Sequence, residues 1–100
     1  MEITIQNNTE NILVTMNGSL DTLAASQVEP QIKDIEALTD KPLTIDCNAL
    51  EYISSSGLRL LLRLKKAYGA KGNKVTLLGV NDNIMEVLRI THFDKMFVLN

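Results

Sequence analysis

Apolar and polar residues follow two periods along this chain, and the points where the period changes mark its elements. Residues 2–6 put Ile3 and Ile5 on one face and Glu2, Thr4 and Gln6 on the other, which is the pattern of a half-buried strand. The run Asn7-Asn8-Thr9-Glu10-Asn11 reads as a turn, because Asn tolerates left-handed backbone. Residues 12–17 supply a partner strand with Leu13, Val14 and Met16 apolar, and the short turn makes the pair an antiparallel hairpin. Gly18 marks a bend after it.

A helical period follows. Asp21 or Thr22 can cap its start, and Leu23, Val28, Ile32, Ile35 and Leu38 fit one side of a helix approximately. Pro30 interrupts the run, so the expectation is one kinked helix, ended by Thr39-Asp40-Lys41-Pro42. Leu43 to Cys47 is a short central strand, and Asn48 to Ile53 a connection whose apolar residues pack back on the core. A leucine-rich second helix runs from about Ser56 to Tyr68, with Gly69 as its C-terminal cap. Val75 to Leu78 is a covered strand closed by Gly79. Asn81 or Asp82 caps a third helix with Ile84, Val87, Leu88 and Phe93 inward, and Lys95 to Leu99 forms a last strand.

The predicted order is β-β-α-β-α-β-α-β. The hairpin is antiparallel and the β-α-β units after it are parallel with right-handed crossovers. The fold class is therefore α/β, a mixed sheet packed against helices. One hundred residues, 45% apolar and 22% charged, give the expectation of a single globular domain over residues 1–100. A net charge of -2 without a basic run leaves no electrostatic footprint for nucleic acid. No apolar run approaches the roughly 20 residues that span a bilayer, and the opening Met-Glu-Ile-Thr lacks a signal-peptide pattern. Cys47 stands alone in an apolar run and reads as a buried small hydrophobe. The expected setting is a reducing, cytoplasmic compartment.

The chemistry concentrates where the third strand hands over to the second helix. Ser54, Ser55 and Ser56 stand at that junction, followed by Gly57, Leu58 and Arg59. Ser55 or Ser56 can cap the helix, yet three hydroxyls exceed what a cap requires. The positive end of a helix suits a negative group, including one added by phosphorylation. Gly57 removes a side chain beside the hydroxyls and eases a partner's approach. Arg59, Arg63, Lys66 and Ala70 share one narrow face, read as solvated. Asp21 and Asp46 can frame the serines electrostatically, or act as a helix cap and a turn former. A nucleophile elbow needs a glycine two positions before its serine, and Ser54 stands there relative to Ser56, so a hydrolase using Ser55, His92 and Asp21 or Asp46 departs from the template. One His and one Cys supply no metal-ligand set, and no phosphate-binding loop is present, so no cofactor is expected.

On Gly18-Ser19-Leu20-Asp21, Leu43-Thr44-Ile45-Asp46 and above all Tyr52-Ile53-Ser54-Ser55-Ser56-Gly57-Leu58, nearly the whole chain resembles a STAS domain of the bacterial anti-sigma factor antagonists. That resemblance implies a non-enzymatic partner switch. The antagonist binds an anti-sigma factor that is also a serine kinase, phosphorylation breaks the complex, and a serine phosphatase restores it. The family pattern is Asp-Ser-Ser-Gly with its first serine as acceptor, which carries over to Ser55, with Ser56 beside it. Ser54 takes the place of the family's Asp. The implied partner surface comprises Asp21, Thr22, Ser54, Ser56, Gly57, Leu58 and Arg59. A constitutive STAS subunit of a signalling scaffold or lipid-transport complex is the other reading, motivated by the missing Asp at position 54.

Overall fold

The computed structural model describes residues 1–100. Five strands lie in the order β1-β2-β3-β4-β5: β1 (Glu2–Asn7), β2 (Ile12–Leu20), β3 (Leu43–Ile53), β4 (Val75–Leu78) and β5 (Val98–Leu99). β1 and β2 are antiparallel, and every later pairing is parallel. The helices are α1 (Thr22–Gln27), α2 (Glu29–Glu36), α3 (Ser55–Gly69) and α4 (Asp82–Ile90), with a 3-10 turn at Phe93–Lys95.

The period-2 pattern decides which sheet face is covered. Ile3 pairs with Met16 and Ile5 with Val14, and Val14, Ile45 and Leu77 continue the row across the sheet. These residues join the helices in one continuous hydrophobic cluster. On the opposite face Thr4, Thr15, Asp46 and Leu78 form the adjoining row, and none of them is buried. The pleat thus turns one face to the helices and the other to solvent. α1 and α2 both pack on α3, which packs on β3 and β4, and α4 packs on β3.

The structure corrects the sequence reading at five places. The first helix is two helices rather than one kinked rod. Pro30 lies in the first turn of α2 and has no N–H to continue the ladder from α1. Val28 is the joint: its N–H donates to Ala24 and its carbonyl accepts from Ile32. β3 does not stop at Cys47 but runs on to Ile53. Between Thr15 and Asn17, and again between Gly18 and Ser19, β3 fits one extra residue against β2. Such bulges shift the pleat and hide the strand from an alternation test. Gly18 accordingly lies within β2, at φ 112, rather than in a bend beyond it. Gly69 is the last helical residue of α3, and the cap is Ala70. The last strand shrinks to Val98–Leu99, because residues 93–95 form the 3-10 turn.

Candidate functional site

α3 begins where β3 ends, and the three serines at that point differ sharply in exposure. Ser54 is the N-cap, in extended conformation at φ -90 and ψ 173. Its hydroxyl accepts from the Gly57 N–H at 3.1 Å and donates to the Leu20 carbonyl at 3.1 Å. The Ser54 N–H donates to the same carbonyl at 2.9 Å. Ser54 is buried at 8% exposure, Ser56 is half-buried and Ser55 is exposed. The cap is therefore neither Ser55 nor Ser56, as the sequence suggested. Serine is a good capping residue, and its hydroxyl can also donate, which the carboxylate of an Asp cap cannot.

Leu20 closes β2, so Ser54 fastens the start of α3 to the start of α1. Asp21 caps α1 by accepting from the Ala24 N–H at 2.8 Å. Asp21, Thr22 and Leu23 are exposed, and Leu23, expected in the core, is 68% exposed. A helix of only six residues gives the 3.6-residue period too little length to orient one leucine. Between α1 and α3 lies an open groove of about 280 Å³, lined by Thr22, Ala25, Ser26, Glu29, Ser56 and Leu60. The sequence pattern placed Leu23 on the wrong side of the helix and carried no signal for Ser26. Tyr52, just before the serines, is 54% exposed.

Several residues placed on the surface by sequence are interior. Leu58 and Gly57 are buried, so Leu58 serves packing through its side chain. Gly57 does not open a path for a partner's backbone. A Cβ there would come within 2.8 Å of Ile53 and Leu20 side-chain atoms and 2.9 Å of the Leu20 carbonyl. Glycine is needed because α3 lies directly on the end of the sheet. The basic stripe is divided. Arg63 is engaged rather than solvated, reaching Glu29 and, at 2.6 Å, Glu36 on α2. Arg59 and Lys66 are exposed.

Asp46 does not frame the serines. It pairs with Thr15 and Leu78, seven positions before Ile53 along β3, a span of roughly 20 Å. The Asn48 N–H and then the Asn48 side-chain amide, both donating to Asp46, lower its pKa. His92 follows α4 at φ 62 and is exposed, and no hydrogen bond joins its ring to a serine or an acid. No three His, Cys, Asp or Glu side chains cluster as metal ligands. No helix is long and apolar enough to cross a membrane. Cys47 is buried and free, as read from sequence.

What this arrangement offers is an exposed hydroxyl at a helix start, beside an open and mainly apolar groove and an exposed leucine. A family model described as the STAS domain matches residues 2–100. BtrV of Bordetella bronchiseptica, a protein named as an anti-sigma factor antagonist, is 24% identical over 97 residues, covering 97% of this chain and 84% of its own. An anti-sigma factor antagonist from Mycobacterium paratuberculosis has a TM-score of 0.85 at 22% identity, over 98% of this chain and 83% of that one. The phosphorylated form of the Bacillus protein SpoIIAA has a TM-score of 0.74 at 17% identity, over 99% of this chain and 91% of that one.

Proposed function

The chain belongs to the STAS domain family, and from that membership we propose that it is an anti-sigma factor antagonist switched off by phosphorylation of Ser55. It acts by binding rather than by catalysis, as a single domain in the cytoplasm. Its partner is an anti-sigma factor that is also a serine kinase, and a serine phosphatase reverses the modification. Names among its relatives support the antagonist role. The observation that carries the choice of residue is the order of exposure: Ser54 buried and doubly bonded, Ser56 half-buried, Ser55 open.

The kinase transfers the γ-phosphoryl group of ATP to the Ser55 Oγ. ADP leaves, and the hydroxyl proton passes to a base of the kinase. The phosphate brings about -1.5 to -2 charge and three acceptor oxygens. At a helix start this charge is favoured by about 0.3–1 kcal/mol, so the domain stays folded. At an interface the same group must be desolvated, and each 1.4 kcal/mol of cost weakens binding about tenfold. The contact surface runs over Asp21, Thr22 and Leu23 of the α1 turn, then Ser55, Ser56 and Arg59.

Incubation with the cognate kinase and ATP, followed by phosphosite mapping, tests the acceptor. Phosphate on Ser55 is the expected result, and its absence from all three serines removes the switch. A constitutive interaction subunit is the second reading, favoured by the uncharged Ser54 cap where the family pattern has Asp. Under it, Ser55→Asp leaves partner binding unchanged; under the switch, that variant binds at least about tenfold more weakly.

A further inference from the structure

The two arginines of α3 are in different situations. Arg63 is committed, with its guanidinium held by Glu29 and Glu36 on α2. Arg59, one turn nearer the start of the helix, is exposed and takes part in no ion pair. It stands four residues after Ser55 within the same helix. Residues so spaced share a face, with Cβ atoms about 5–6 Å apart. Side chains on a helix lean toward its N-terminus, so Arg59 leans toward Ser55 rather than away from it.

We propose that Arg59 is an internal clamp for phosphate on Ser55, so that modification adds an anion to the partner surface and removes a free cation from it. The inference rests on Ser55 being the acceptor. A guanidinium can give a phosphate two parallel N–H donors, which an ammonium cannot. The acids near the junction do not compete for Arg59. Glu29 is already paired with Arg63, and Asp21 is engaged with the Ala24 N–H. Lys66, on the same stripe, is eleven positions from Ser55, three turns down the helix, and cannot replace it. In the unmodified protein Arg59 is free to meet an acidic group of the partner. Once Ser55 carries phosphate, Arg59 is drawn into an intramolecular pair. The surface then loses a positive contact at the place where it gains a bulky negative one.

The test installs phosphoserine at position 55 during translation, so no kinase is involved. The second ionisation of the phosphate is then followed by phosphorus NMR in the wild-type background and in Arg59→Gln, Arg59→Lys and Lys66→Gln. An unpaired phosphoserine titrates near pH 6, and a neighbouring cation favours the dianion. The midpoint is expected to rise by about 0.2–0.4 unit in R59Q, less in R59K, and not at all in K66Q. Coincident midpoints in wild type and R59Q overturn the clamp. Circular dichroism checks that each variant is folded. Failure of the kinase to modify Ser55 counts against the switch and leaves this titration unaffected, so the two outcomes are separable.

Discussion

The hydroxyl of Ser54 donates to the carbonyl of Leu20 across 34 positions of sequence, at 3.1 Å. That bond and the cap on Gly57 use both the donor and an acceptor site of one side chain. The end of β2 and the starts of α1 and α3 therefore move as one body. The exposed Asp21 turn and Ser55 lie on a common rigid base rather than on two independent loops.

Ser54→Ala removes the cap and the tie together. Loss of a cap costs about 1 kcal/mol, and a buried hydrogen bond about another. The urea midpoint is expected to fall by an amount corresponding to about 1–2 kcal/mol, with the denaturant slope unchanged. A midpoint within error of wild type would show that the junction is held by backbone bonds alone.

How the serines sort themselves shows what the sequence could reveal. Alternation exposed β1 and the hairpin, because Glu2, Thr4 and Gln6 face solvent for the whole strand. It missed the second half of β3, where two bulges shift the pleat and leave Asn48 and Ala49 both exposed. Where β3 ends determines which serine becomes the cap, and that depends on pairing with Ser19 and Leu20, far away in sequence. All three hydroxyls are equal on local chemistry; only the partner strand distinguishes them. Leu23 was misplaced for a related reason, since a helix broken by Pro30 has no long apolar stripe to fix its phase.

Gly57→Ala sets two effects against each other. Alanine gains up to about 1 kcal/mol in helix propensity over glycine. Its methyl must then occupy space within 2.9 Å of the Leu20 carbonyl, which is itself held by Ser54. Overpacking in a filled core costs about 1–3 kcal/mol, and here the buried Ile53 and Leu20 side chains at 2.8 Å close the space on the other sides. The variant is expected to be less stable than wild type, with a lower melting temperature. A rise in melting temperature would mean that α3 lifts off the sheet at no cost.

Alkaline pH should weaken the fold through two buried groups. Burial, with the nearby Asp46 charge adding to it, pushes the Cys47 thiol up to about 12. Burial pushes the Tyr68 hydroxyl up to about 12 as well, and that group donates to the Ile35 carbonyl at 2.9 Å. In the unfolded chain these groups ionise near pH 8.5 and pH 10, roughly. Above those values the folded state holds more protons than the unfolded state, so stability falls as pH rises toward about 12. Each group contributes at most about 1.4 kcal/mol per pH unit. Urea midpoints measured from about pH 8 to about pH 10 should decline, and Cys47→Ala should flatten the decline. Equal slopes in the two proteins would remove Cys47 from the account.

Leu23 offers a way to separate binding from folding. At 68% exposure it contributes little to the core, so Leu23→Ala should leave the urea midpoint within about 0.5 kcal/mol of wild type. In the proposed complex it sits beside Asp21 and the α1–α3 groove, where an apolar side chain has surface to bury. Truncating an anchor of this kind costs more than about 1 kcal/mol of binding, or roughly fivefold or more in Kd. Calorimetric titration of the unphosphorylated variant into the anti-sigma partner measures that loss. Lys33→Ala, an exposed change on α2, should leave the affinity unaltered. If L23A binds as tightly as wild type while Ser55→Asp does not, the partner contacts the start of α3 without reaching over α1. The groove would then lie outside the interface.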